Sequence, residues 1–147
     1  MVELAATTTI TVGSALFFAY WFRYTCLLIL STNTARDHTL TVAVANQLAF
    51  LEVQSQLRHS GADLERLRCL LDRDYAVLRC LLDYSAERPK GFEIEPRMLG
   101  INYRLLGLWY ALSRRFSIAT ARRTLEEMSL VVAHFANTMG ERAMCQG

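Results

Sequence analysis

Residues 4–22 carry no charge, and after Arg23 the chain stays apolar from Tyr24 to Leu30. No other segment restricts the fold as much. A bilayer-crossing helix needs about 20 mostly apolar residues at about 1.5 Å each, and Leu4 to Ser31 provides 28. A cleaved signal peptide needs a basic leader and small residues at its cleavage site. Here the leader is Met-Val-Glu, and no Ala-x-Ala follows Leu30. The segment therefore reads as an uncleaved signal-anchor helix within a domain of residues 1–34. The competing reading, the central helix of a soluble bundle, is less favourable, because a chain of 147 residues can hardly enclose so long an uncharged helix.

Arg23 decides the register of the span. It lies among Phe17, Phe18, Tyr20, Trp21, Phe22 and Tyr24, a grouping like an interfacial aromatic belt. Trp21, Arg23 and Tyr24 are therefore the expected contacts with membrane or partner. If the span is Leu4 to Phe22, the guanidinium sits at the interface. If it is Val12 to Ser31, the guanidinium is near mid-membrane, at a cost of roughly 2.5–3.5 kcal/mol before snorkelling or pairing. That deeper register calls for a partner from another chain, because no other charged residue lies between Glu3 and Arg36. No Lys or Arg precedes the span, whereas Arg23 and Arg36 flank its far end. This places the C-terminal part, residues 35–147, in the cytoplasm. Four cysteines with no C-x-x-C pair fit free thiols in a reducing compartment.

Beyond the anchor the pattern is helical throughout. Pro89 and Pro96 are the only prolines, which leaves two long proline-free stretches. Thr34-Ala-Arg-Asp37 resembles a capping box and predicts a helix over about 35–59, with Leu40, Val44, Leu48 and Leu51 as its apolar stripe. Ser60-Gly-Ala-Asp63 predicts the next helix, about 62–86. Within it "LRCLLD" occurs twice, 11 residues apart, and Leu64, Leu67, Leu71, Leu78 and Leu81 keep heptad spacing interrupted by Asp74. Cys69 and Cys80 are then roughly 16 Å apart, too far for a shared metal or disulfide, so the repeat reads as packing. "AERPKGFEIEPR", residues 86–97, reads as a loop. Residues 98–112 are too few to span a bilayer, so that helix is expected to be buried, with a membrane surface as the second possibility. From Ser117 a last helix carries Ile118, Ala121, Leu125, Met128, Val132, Phe135 and Met139 at a/d spacing, with Gly140 as terminator and a frayed tail. The expected fold is all-α: one N-terminal transmembrane helix, then a bundle of about four helices.

No catalytic or cofactor motif is present: no nucleophile elbow, no glycine-rich phosphate loop, no zinc spacing. Glu52 and Glu127 each precede a histidine, His59 and His134, by seven residues, whereas a di-iron bundle requires Glu-x-x-His. No metal, cofactor or catalytic residue is assigned. An imidazole facing a carboxylate in a cleft would reopen the enzyme reading. The strongest local signal is electrostatic. Residues 97–123 contain six arginines and no acid, against eight basic and ten acidic side chains in residues 32–96. If the helices ran on with little break, Arg104, Arg115 and Arg122 would share a face flanked by Arg114 and Arg123. A solvated surface is the plain reading of this basic face; anionic lipid headgroups or an acidic partner come next, and nucleic acid last. The sequence thus reads as a single-pass, membrane-anchored interaction protein: a scaffold, adaptor or accessory subunit with a protein partner or a second copy of itself. A membrane-anchored regulator that binds nucleic acid through residues 97–123 is the alternative.

Overall fold

The computed structural model describes residues 1–31, 38–84 and 94–145. Six helices and no strand occur among them: α1 (Val2–Ser31), α2 (Thr39–Ala45), α3 (Phe50–Leu57), α4 (Leu64–Tyr84), α5 (Ile94–Ser113) and α6 (Ile118–Cys145). The chain divides into two compact units, Met1–Thr32 and Asn33–Gly147.

The first unit is α1, a helix long and apolar enough to cross a membrane, with none of its most apolar window buried. Its threonines do not disturb this character. Thr7, Thr8, Thr9, Thr11 and Thr25 each donate their hydroxyl to the carbonyl four residues back, at 2.7 to 2.9 Å. Ser31 donates to the carbonyl of Leu28 at 2.8 Å. Hydroxyls satisfied within their own helix need no water, so the "TTTIT" run is compatible with hydrocarbon.

The second unit is a bundle in which α2, α3, α4 and α5 all pack on α6. Five a/d residues of α6 are buried: Ala121, Leu125, Met128, Val132 and Phe135. Ile118 is exposed and Met139 half-buried. Thr124 and Val131, and the small residues Ser129, Ala136 and Gly140, are buried as well, so the covered arc is wider than an a/d seam. The sequence reading of Gly140 as terminator and of a frayed tail needs correction: α6 runs on to Cys145. Gly140 is instead a point of close approach, where a Cβ would collide with the side chain of His38. The His38 N–H also donates to Asn137 Oδ1 at 2.9 Å, which fastens the start of α2 to α6.

The bundle of about four helices is present, with five among the described residues because the single helix expected over about 35–59 is two. α2 ends in a Schellman-type turn. The Gln47 N–H reaches the Val44 carbonyl, the Leu48 N–H reaches the Ala43 carbonyl, and Gln47 takes a left-handed φ of 53°. α3 then begins under Asp74, whose fully buried carboxylate accepts the Ala49 N–H at 2.6 Å. Arg73 donates to the Gln47 carbonyl at 3.2 Å and also reaches Asp74 Oδ1. The residue that breaks the leucine pattern of α4 thus caps a helix 25 positions earlier. The expected stripe of the second helix is out of phase: Thr39, Val42 and Ala43 face the core, while Leu40 and Val44 are exposed. In α4 the core residues are Leu67, Leu71, Tyr75, Leu78 and Leu82, with Leu64 and Leu81 only half-buried.

α4 starts at the cap that the sequence indicated, with Asp63 Oδ1 accepting the N–H groups of Glu65 and Arg66. α6 starts beneath Ser117, whose Oγ accepts the Thr120 N–H at 3.3 Å. α5 begins earlier than expected. Ile94 to Arg97, assigned to the loop, are its first turn, where Pro96 gives up no intrahelical bond. The proposed capping box Thr34–Asp37 and the rest of that loop lie outside the described residues.

Asp74→Ala leaves the Ala49 N–H without its acceptor inside the fold. We expect a loss of about 1–3 kcal/mol, read as a lower urea midpoint in detergent, with Leu40→Ala as an exposed control that shifts it little.

Candidate functional site

α4 and α5 both rest on α6, yet no Cα of one lies within 8 Å of the other. Long polar side chains span the space between them. On α4 the residues are Glu65, Arg68, Asp72, Tyr75 and Arg79; facing them are Gly100, Tyr103, Gly107 and Tyr110 of α5 and Arg114 just beyond its end. Both sets step by three and four residues, and they run antiparallel.

Glu65 pairs with Arg114 at one end. Next, Arg68 donates to the Gly107 carbonyl at 3.2 Å and to Asp72 at 3.0 Å, and its guanidinium lies 5.2 Å from the centre of the Tyr110 ring. The Tyr103 hydroxyl donates to Asp72 Oδ1 at 2.9 Å. Tyr103 stacks on Tyr75 with centroids 4.0 Å apart and planes 6° from parallel. At the far end Arg79 donates to the Tyr75 hydroxyl at 3.2 Å. The two glycines make room: a Cβ at Gly107 would meet the Arg68 guanidinium at 2.8 Å, and one at Gly100 would meet the Tyr75 hydroxyl at 3.1 Å. Burial, and then the neighbouring Asp72 carboxylate, push the Tyr103 phenol well above its ordinary value of 10.0. Burial and then the Glu65 charge raise Tyr110 as well.

The arginines of residues 97–123 occupy different settings. Between Ser113 and Ile118 the chain turns, so helical phase does not carry from Arg104 to Arg122. Arg114 belongs to the α4–α5 seam. Arg122 donates to the carbonyls of Leu57 at 3.4 Å and Ser60 at 3.2 Å, closing the C-terminal end of α3. Arg104, Arg115 and Arg123 are exposed. In the first unit Trp21 and Tyr24 are exposed and Arg23 is half-buried, with the Tyr20 and Tyr24 rings stacked 6.5 Å apart.

His134 does face a carboxylate: its Nε2 lies 2.8 Å from Glu95 Oε1. No local spacing points to this pair, because the partner is 39 residues away rather than seven. The pair ties the first turn of α5 to α6, and the other ring nitrogen, Nδ1, is buried without a partner among the described residues. Neither residue lines the concave surface of about 500 Å³ between the α2–α3 turn and α4. That depression has Val44, Leu48, Leu51 and Leu70 as its apolar floor, with Glu52, Arg66 and Arg73 among its polar lining. No group of three or more His, Cys, Asp or Glu side chains able to hold a metal occurs among the described residues. Cys69, Cys80 and Cys145 are exposed free thiols.

α5 also has an open face. Leu99, Asn102, Leu106 and Ser113 are buried, whereas Ile101, Leu105, Leu108, Trp109 and Leu112 are exposed. The helix expected to be buried is therefore covered on part of its circumference only. Compared with known proteins, the chain matches no family model, no curated protein and no solved structure.

Tyr103 makes alkaline stability a direct probe of the seam. Its folded-state pKa is raised, so its contribution is complete below the ordinary value of 10.0 and is lost as pH rises through the folded value. Stability should fall above about pH 10. In Tyr103→Phe that alkaline slope should be shallower, at a cost near neutral pH of about 0.5–1.5 kcal/mol for the lost hydrogen bond. Denaturant titrations across pH measure both.

Proposed function

We propose that the protein is a single-pass membrane-anchored interaction module. In this reading α1 holds it in the bilayer and the helical bundle of the second unit presents binding surfaces on the cytoplasmic side. The observation that carries the reading is α1 itself: 30 residues of helix, unburied along its apolar window, with its threonine hydroxyls satisfied internally. Such a helix is more stable in hydrocarbon than in water. The arginines at its C-terminal flank favour a cytoplasmic bundle, and exposed free thiols suit that compartment.

Scaffold, adaptor and accessory subunit share one mechanism here, which is binding. The depression between the α2–α3 turn and α4 joins an apolar floor to Glu52, Arg66 and Arg73, a lining suited to a protein segment with apolar and charged side chains. Nucleic acid has less support, since Tyr103 and Tyr110 are buried and Arg114 and Arg122 bond within the bundle.

After detergent-free lysis, the full chain should sediment with membranes, resist a high-salt wash, and be released by mild detergent together with its partners, which mass spectrometry would identify. Recovery of the intact chain in the soluble fraction would contradict the anchored reading.

A further inference from the structure

α5 carries three faces, and one of them is exposed among the described residues. One face packs on α6, through Leu99, Asn102, Leu106 and Ser113. A second forms the polar seam towards α4. The third runs through Ile101, Leu105, Leu108 and Leu112, spaced four, three and four residues apart, and widens onto Trp109. These side chains are about half exposed, and Leu108 is 70% exposed. In the turn after α5, Phe116 is 81% exposed. Arg104 follows Ile101 by three residues and precedes Leu108 by four, so it borders the same face, and Arg115 lies beside Phe116. Residues 97–123 contain no acidic side chain, so the charged residues along this stripe, Arg104 and Arg115, are cationic.

We propose that this face of α5 lies in the interface of an anionic bilayer, with Ile101, Leu105, Leu108, Trp109 and Leu112 among the acyl chains and Arg104 and Arg115 at the phosphates. The inference rests on the anchored reading of α1, which keeps a bilayer within reach of the bundle. The helical stripe from Ile101 to Leu112 is about 17 Å long, too short to cross hydrocarbon and of a length that lies along its surface. A rim in which the stripe's own charges are cationic suits phosphate headgroups. A protein partner would need an acidic rim of its own, and a second copy would set this rim against itself.

The test uses the full chain in vesicles of phosphatidylcholine and phosphatidylglycerol, with two single-tryptophan variants. Trp21→Phe leaves Trp109 to report on the α5 face, and Trp109→Phe leaves Trp21 to report on the anchor. Bromine on the acyl chains, placed near the headgroups in one set of vesicles and near the chain ends in another, should reduce the emission of Trp109 most from the shallow position and that of Trp21 from at least one of the two, while aqueous iodide reaches neither. In the Trp109 reporter, adding Leu108→Asp with Arg104→Glu should move Trp109 from bromolipid to iodide quenching. Circular dichroism should be unchanged, because both substituted residues are exposed. Quenching of Trp109 by iodide while Trp21 stays bromolipid-quenched overturns the inference and leaves the anchor standing. Shielding of Trp109 from both quenchers also overturns it, since protein rather than lipid then covers the face. If bromolipid fails to quench Trp21, the anchored reading fails and this inference with it.

Discussion

Within the second unit, every helix is held by the surface of α6. α2, α3, α4 and α5 each pack against it, and its buried arc includes Leu125, Met128, Val131, Val132 and Phe135. Polar groups on the same helix fix the register of its neighbours. Asn137 holds the entry to α2, Arg122 closes the end of α3, and His134 meets Glu95 in the first turn of α5. Apolar burial supplies most of the driving force and is non-directional, whereas these bonds are directional and select one arrangement. The separation of α4 from α5 follows, since two helices seated apart on a common third need long side chains to bridge them. The arginine, tyrosine and glycine spacing of the seam meets that need.

How much of this could be read in advance depended on the range of the interaction responsible. α1 was legible because an uncharged run is a local property. The cap of α4 and the start of α6 were legible because Asp63 and Ser117 bond to N–H groups two or three residues ahead. The break between α2 and α3 was not. Its left-handed residue is Gln47 rather than glycine, and the acceptor that starts α3 is Asp74, far along the chain. Asp74 itself looked like an interruption of a leucine stripe. Gly140 looked like a terminator because glycine ends many helices, yet here its missing side chain admits His38. The Glu95–His134 pair left no mark in the sequence, since neither spacing nor composition joins two helices across 39 residues.

The proposed function rests on how the apolar surface is distributed. α1 is apolar around its whole circumference, as a helix surrounded by lipid must be. α5 divides its circumference between core, seam and an open apolar face rimmed by arginine. The arginines of residues 97–123 are likewise divided, Arg114 and Arg122 serving the fold while Arg104, Arg115 and Arg123 face outward. The proposed account is that of a binding protein whose attachment and recognition surfaces belong to different helices.

Its central claim is that α1 crosses the membrane and leaves the bundle in the cytoplasm. The exposed thiols Cys69 and Cys80 test it most directly, through labelling by a membrane-impermeant maleimide in sealed vesicles of known orientation. The account predicts labelling when the cytoplasmic side faces the reagent, and none from the opposite side until the vesicles are opened with detergent. Equal labelling from both sides, or labelling only from the side opposite the cytoplasm, would contradict it.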